Sequence, residues 1–220
     1  MQDLDIRGAG NLLGAEQSGF IADLGYETYQ KILREAVTEL RTEEFPELAA
    51  HDSSAAPPDE QGADDFVADC VIESDMELLL PADYVPQDSQ RISLYQELDS
   101  IERELDLKAF RDRLLDRFGQ LPPEAEELLR IPRLRRLARK LGIEKVALKQ
   151  GEMYIYFVDE SNKAYYQSPM FGRLLHFLQQ NPAQCRIRDK GGRRSFAIRN
   201  VKSVQQAVDL LGYILQLSPL

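Results

Sequence analysis

Leu78-Leu79-Leu80-Pro81-Ala82-Asp83-Tyr84-Val85-Pro86-Gln87-Asp88-Ser89-Gln90-Arg91-Ile92-Ser93-Leu94-Tyr95 is where this chain passes from extended to helical patterning. Upstream, Phe66-Val67-Ala68-Asp69-Cys70-Val71-Ile72 reads as a strand, and Leu78 to Pro81 closes an apolar segment. Downstream, Asp88 or Ser89 is placed to cap a helix whose Ile92, Tyr95, Leu98, Ile101 and Leu105 form one face. A second helix is expected from about Asp106 to Phe118, with Leu107, Phe110, Leu114 and Phe118 inward and Gly119 as its stop. Pro122-Pro123 suits the N-terminus of a third, and Glu124, Glu126 and Glu127 suit the positive end of its dipole. That helix carries Leu128, Leu129, Leu134, Leu137 and Leu141, is kinked at Pro132 and ends at Gly142.

Beyond Gly142 the period changes. Glu144 to Lys149 and Glu152 to Val158 read as strands around Gly151, Pro169 to Gln180 as a helix. Cys185 to Arg188 and Arg194 to Arg199 read as a hairpin across Gly191-Gly192, and Val204, Val208, Leu211 and Leu215 mark a last helix. The expectation is an α+β domain over residues 66–220: three helices, then a mixed strand-helix block with a small antiparallel sheet.

The other direction is less regular. Gly8, Gly10, Gly14 and Gly19 give a glycine-rich loop, followed by a helix from about Asp23 to Arg41 with Tyr29, Ile32, Leu33, Ala36, Val37 and Leu40 on one face. Residues 46–65 have few large apolar side chains and no period, and read as an acidic, mobile linker. Domain boundaries are therefore expected at 1–45, 46–65 and 66–220, with residues 1–41 poorly anchored to the domain or docked on it in a non-native way.

Charge sharpens this division. Residues 1–41 hold four basic against seven acidic side chains, residues 42–104 two against eighteen, and residues 105–220 twenty-one against twelve. The overall net charge of −10 argues against nucleic-acid affinity driven by total charge, while the acidic middle before a basic end suggests electrostatic docking. No apolar run approaches the roughly 20 residues needed to cross a bilayer. The N-terminus has no basic region or apolar core of a signal peptide, and the isolated Cys70 and Cys185 suit a reducing cytoplasm.

Catalytic signatures are not found. There is no G-x-x-x-x-G-K-[ST] loop, and Asp59-Glu60-Gln61 lacks the buried strand that an ATPase acidic box follows. Gly8-x-Gly10 has no preceding strand, and no spacing among His51, His176, the cysteines and the carboxylates suggests a metal site. No catalytic residue, metal or cofactor is assigned.

Asp3-Leu4-Asp5-Ile6-Arg7-Gly8-Ala9-Gly10-Asn11-Leu12-Leu13-Gly14-Ala15-Glu16-Gln17-Ser18-Gly19 resembles the motif shared by bacterial transcription-repair coupling factors (Mfd) and the branch-migration helicase RecG. Gly25-Tyr26-Glu27-x-Tyr29, Leu80 to Pro86, Arg91 to Tyr95 and Asp116-Arg117-Phe118-Gly119-Gln120-Leu121-Pro122 resemble the coupling factors alone. The resemblance implies a C-terminal piece of such a protein. Arg7, Gly8, Gly10, Gly14, Gln17 and Gly19 would belong to the translocation relay, with Arg7 and Gln17 as its polar groups. The full-length parent would use ATP and magnesium to move along double-stranded DNA. The C-terminal domain would pack on an N-terminal module resembling UvrB, mask the surface that recruits UvrA, and be released when RNA polymerase is engaged. Asp116, with Arg117 beside it, falls where the family places contacts to that module, whereas Arg113 departs from the acidic residue expected there. A different reading from the residues alone is a small basic nucleic-acid-binding domain, resting on Arg186, Arg188, Lys190, Arg193, Arg194 and Arg199.

Overall fold

The computed structural model describes residues 25–26, 28–33, 66–159, 161–190 and 193–219. The expected linker at 46–65 and the glycine-rich loop with Arg7, Gly8, Gly10, Gly14, Gln17 and Gly19 lie outside them. After a helical segment at residues 28–33, the order is β1 (Val71–Ser74), α1 (Asp88–Asp99), α2 (Glu104–Phe118), α3 (Pro123–Leu128), α4 (Ile131–Lys140), β2 (Ile143–Lys149), β3 (Glu152–Phe157), α5 (Lys163–Tyr166), α6 (Pro169–Gln180), β4 (Cys185–Lys190), β5 (Arg193–Arg199) and α7 (Val204–Gln216). The fold class is α+β. The five strands form one sheet in the order β1-β2-β3-β5-β4.

Local signals placed most elements. Gln150 and Gly151 both have positive φ (54° and 71°), the backbone a tight two-residue β-hairpin turn requires, and β2 and β3 pair antiparallel across them. Ser168 caps α6 by accepting from the Phe171 amide at 3.3 Å, and Pro169 takes the first helical position, where no N–H is needed.

Five expectations change. The sheet is not wholly antiparallel: β1 runs parallel to β2, with Ile72 beside Val146. The predicted strand at 66–72 is displaced, so that only Val71–Ser74 pairs. The third helix is two, α3 and α4, separated at Leu129-Arg130. Pro132 has no N–H to give the carbonyl four residues back, so the helix restarts just before it and Pro132 sits in the first turn of α4. Leu105 is 77% exposed and does not belong to the apolar face of α1, which ends at Asp99. Asp88 caps nothing; its carboxylate pairs with Arg91, and Gln87 occupies the cap position without a side-chain bond.

The Leu78–Tyr95 stretch closes on itself. The Leu80 amide donates to the Tyr95 hydroxyl at 2.9 Å, and buried Arg91 donates from Nη1 to the Val85 carbonyl at 2.8 Å. Both groups are shut away from water, so each bond removes a desolvation cost as well as adding an attraction. The helical half is tied to the strand-rich half by Glu127 of α3. Its carboxylate accepts from the Val204 amide at 2.6 Å, capping the N-terminus of α7, where a negative charge opposes the helix dipole favourably.

Cys70 is 1% exposed, and burial, with Asp69 beside it, pushes its thiol up to about 12; burial also raises the half-buried Cys185. Thiolate is the reactive form. Alkylation at neutral pH, followed by mass spectrometry, is therefore expected to label Cys185 slowly and Cys70 only after unfolding. Equal rates at the two positions would contradict this burial.

Candidate intermodule interface

The last turn of α2 carries the residues singled out in sequence, Asp116 and Arg117. They rim a cleft of about 350 Å³ between α1 and α2, whose floor includes Leu94, Phe110, Leu114 and Phe118. The turn is held from outside. The Tyr84 hydroxyl lies 3.1 Å from the Leu114 and Gly119 carbonyls and shares its one proton between them, tying the end of the helix to the residue that stops it. The Tyr84 and Phe118 rings lie 5.7 Å apart.

Charges at the rim are unequal. Arg113 pairs with Glu97 of α1 and lies over the Phe110 ring at 5.5 Å. Arg117 stacks over Phe118 at 5.2 Å. Asp116 is exposed and has no hydrogen-bond or ion-pair partner among the described residues. A carboxylate two residues from the end of a helix also faces the negative pole of its dipole. Asp116 thus does nothing visible for its own helix end. Arg113, which breaks the expected acidic pattern, is occupied within the domain.

A second polar centre was not legible in sequence. Tyr26, in the segment after the glycine-rich motif, is 4% exposed and packs with Tyr29 against Tyr95, at ring separations of 6.0 and 5.8 Å. Its hydroxyl donates to Asp99 Oδ1 at 2.9 Å and accepts from Arg135 Nη2 at 3.0 Å. Arg135 Nη1 and Gln30 Nε2 also reach Asp99, at 2.7 and 2.8 Å. The Tyr26 amide donates to the Leu78 carbonyl at 3.0 Å. Residues 25–26 and 28–33 are accordingly docked on the domain, whereas the rest of residues 1–41, for which poor anchoring is expected, lies outside the described residues. The sequence signal was the pair of aromatic residues on a short amphipathic segment, but it named no partner.

Among the described residues no cluster of His, Cys, Asp and Glu is arranged to hold a metal, and no helix is long and apolar enough to cross a membrane. His176 is engaged through both ring nitrogens, with the Ser218 carbonyl at 2.7 Å and Gln180 at 2.9 Å. His51 lies outside the described residues.

Residues 74–168 match the family model of the TRCF domain. Over 185 residues the chain is 35% identical to the transcription-repair-coupling factor of Escherichia coli (strain K12), covering 84% of this chain and 14% of that protein. Over 157 residues it is 36% identical to the transcription-repair-coupling factor of Staphylococcus epidermidis (strain ATCC 35984), covering 70% of this chain and 12% of that protein. A solved crystal structure of the C-terminal domain of a transcription-repair coupling factor aligns at a TM-score of 0.49 and 16% identity, over 68% of this chain and 95% of that one.

Proposed function

This chain belongs to the transcription-repair-coupling factor family, and from that premise we propose that it is a regulatory, protein-binding piece of a larger DNA-repair translocase. The chain spans 14% of the length of the Escherichia coli relative, so the activity of a whole protein is part of this proposal. The α1–α2 cleft docks on an N-terminal module that resembles UvrB. Docked, it masks the surface that recruits UvrA and restrains movement on double-stranded DNA; engagement of stalled RNA polymerase in the cytoplasm releases it. ATP and magnesium act on the motor of the parent, into which Arg7, Gly8, Gly10, Gly14, Gln17 and Gly19 relay. No catalytic step is assigned to the described residues.

The observation that carries this reading is the unpartnered Asp116 carboxylate at the electrostatically unfavourable end of α2, beside an open apolar cleft. A residue that costs its own helix stability is best explained by an external cation. Asp116→Lys separates the roles. The substitution puts a cation at the helix C-terminus, so the melting temperature should hold or rise, by no more than about 0.3–1 kcal/mol in stability. Binding to the separately purified N-terminal module should fall about fivefold for a rim ion pair, more if the pair is desolvated. In the full-length parent, UvrA capture without RNA polymerase should rise. Unchanged module binding by a folded variant would remove Asp116 from the interface, and a large drop in melting temperature would return it to a purely structural role.

A further inference from the structure

The face of the sheet opposite the aromatic core carries a pattern that the intermodule reading does not use. Along β3, Met153, Ile155 and Phe157 are buried, while Glu152, Tyr154 and Tyr156 alternate with them on the other side and stay partly exposed. Phe157 packs on Phe171 of α6 and Tyr165 of α5, which puts those helices on the opposite face from the two tyrosines. Register fixes their neighbours. Tyr156 lies between Lys145 and Ser195, with Arg188 beyond; Tyr154 lies between Ala147 and Ala197, with Arg186 beyond. Tyr154 is therefore flanked by small residues on both neighbouring strands and Tyr156 by Ser195 on one side and Lys145 on the other, with Arg186 and Arg188 on the border strand.

Charge on this face is one-sided. Lys145, Lys149, Arg186, Arg188 and Arg199 share it with two carboxylates, Glu73 and Glu152. Glu73 pairs with Lys145 at 2.6 Å and Lys149 at 3.1 Å. Glu152 lies 3.6 Å from Arg199 and 3.9 Å from Arg188, and accepts from the Tyr154 hydroxyl at 2.6 Å. Each carboxylate thus positions two cations without neutralising both. Arg188 stands 5.0 Å from the centre of the Tyr154 ring and Lys145 5.6 Å from that of Tyr156.

We propose that this open sheet face binds a single-stranded polynucleotide, with bases stacked on Tyr154 and Tyr156 and phosphates held by Lys145, Lys149, Arg186, Arg188 and Arg199. Alternate residues of one strand stand about 6.4–6.8 Å apart, a separation that lets each ring take its own base. Two π-faces interleaved with cations are what non-specific single-strand recognition needs. An acidic peptide would satisfy the cations but leave the rings without purpose. A duplex buries its base faces and could reach only the charges. The chain's net charge of −10 does not oppose this, because the excess of cations is local and counter-ion release is a local effect. The surface shares no residue with the α1–α2 cleft, so either reading can fail alone.

The test is fluorescence anisotropy with the 220-residue chain and labelled oligouridylate or oligodeoxythymidylate of about ten nucleotides, at about 50 and about 200 mM salt. Saturable binding that weakens with salt is expected. Replacing both rings, Tyr154→Thr with Tyr156→Thr, keeps strand-forming residues and the charge; it should weaken binding about tenfold or more. Replacing Arg186→Ser with Arg188→Ser changes exposed positions of the edge strand, leaves both rings in the sequence, and should flatten the salt dependence by about one to two in slope. A preference for the ribo- or the deoxyribo-oligomer supports the proposal and names the source of the strand. Three outcomes overturn it: no saturable binding by the wild type, unchanged affinity in a folded ring variant, or displacement of the oligomer by polyglutamate at matched charge, which would assign the face to an acidic peptide.

Discussion

Arg135→Ala is expected to melt the 220-residue chain roughly 6–12 °C below wild type, a loss of about 3 kcal/mol. Arg135 is 17% exposed and its partner Asp99 24%, so both charges are largely withdrawn from water. Deleting the guanidinium strands the Asp99 carboxylate beside the Tyr26 hydroxyl and Gln30, two neutral groups that cannot replace a cation. The low end of the range for a broken buried pair applies, because Asp99 keeps some contact with solvent. Tyr26→Phe keeps the ring packing on Tyr95 and removes only the hydroxyl, at about 1–2 kcal/mol. The double variant should cost less than the sum, since the two groups share one network. Arg133→Ala, on the exposed side of the same helix, is the control and should stay within about 0.5 kcal/mol. A loss for Arg135→Ala no larger than that control would mean that Tyr26 and the helical segment at residues 28–33 are not held by this pair. Amide exchange across residues 28–33 gives the local readout: it should accelerate in Arg135→Ala and not in Arg133→Ala.

Gly142→Ala should be among the most damaging single changes available to the chain, at about 3–5 kcal/mol. Two penalties coincide there. Gly142 has φ +68°, where a side chain is strained, and a Cβ would fall 2.2 Å from Tyr165 Cε2. Tyr165 cannot swing away. It is fully buried, donates to the Leu141 carbonyl at 2.9 Å, and is packed by Phe66, Tyr166 and Phe171 at ring separations of 5.3, 5.2 and 5.5 Å. Gly151→Ala provides the comparison. Its φ is +71°, but its Cβ would meet only Lys202 Cγ at 3.6 Å, so backbone strain of about 1–2 kcal/mol is the whole cost. Thermal unfolding of both variants measures the difference. Equal losses would show that the ring yields and that the close approach at Gly142 carries no penalty of its own.

The sequence marks Gly142 as the stop of a helix and Gly151 as the centre of a hairpin, because each sits where apolar periodicity changes. Sequence does not say that a side chain on one glycine would meet a buried ring and on the other only the stem of Lys202. Asp116 is similar. Its place at the end of α2 followed from the Leu107, Phe110, Leu114 spacing and from Gly119. That its carboxylate lacks a partner depends on where Glu97 and Arg113 went, which is a matter of packing.

The sequence by itself determined the α+β class, the C-terminal end of α2, both ends of α6, the existence of α7, the β2–β3 and β4–β5 hairpins, and the resemblance that leads to the family. These rest on short-range physics: the φ of glycine, the missing N–H of proline, and the period of apolar side chains. Tertiary structure alone decided the parallel pairing of β1 with β2, the capping of α7 by Glu127, and the anchoring of Tyr26 by Asp99 and Arg135. Those partners lie 73 to 109 residues apart in the chain. A contact at that range is worth little until hydrophobic burial has brought both ends together. Its residues therefore carry no local signal, and only the closed core selects which distant charge meets which.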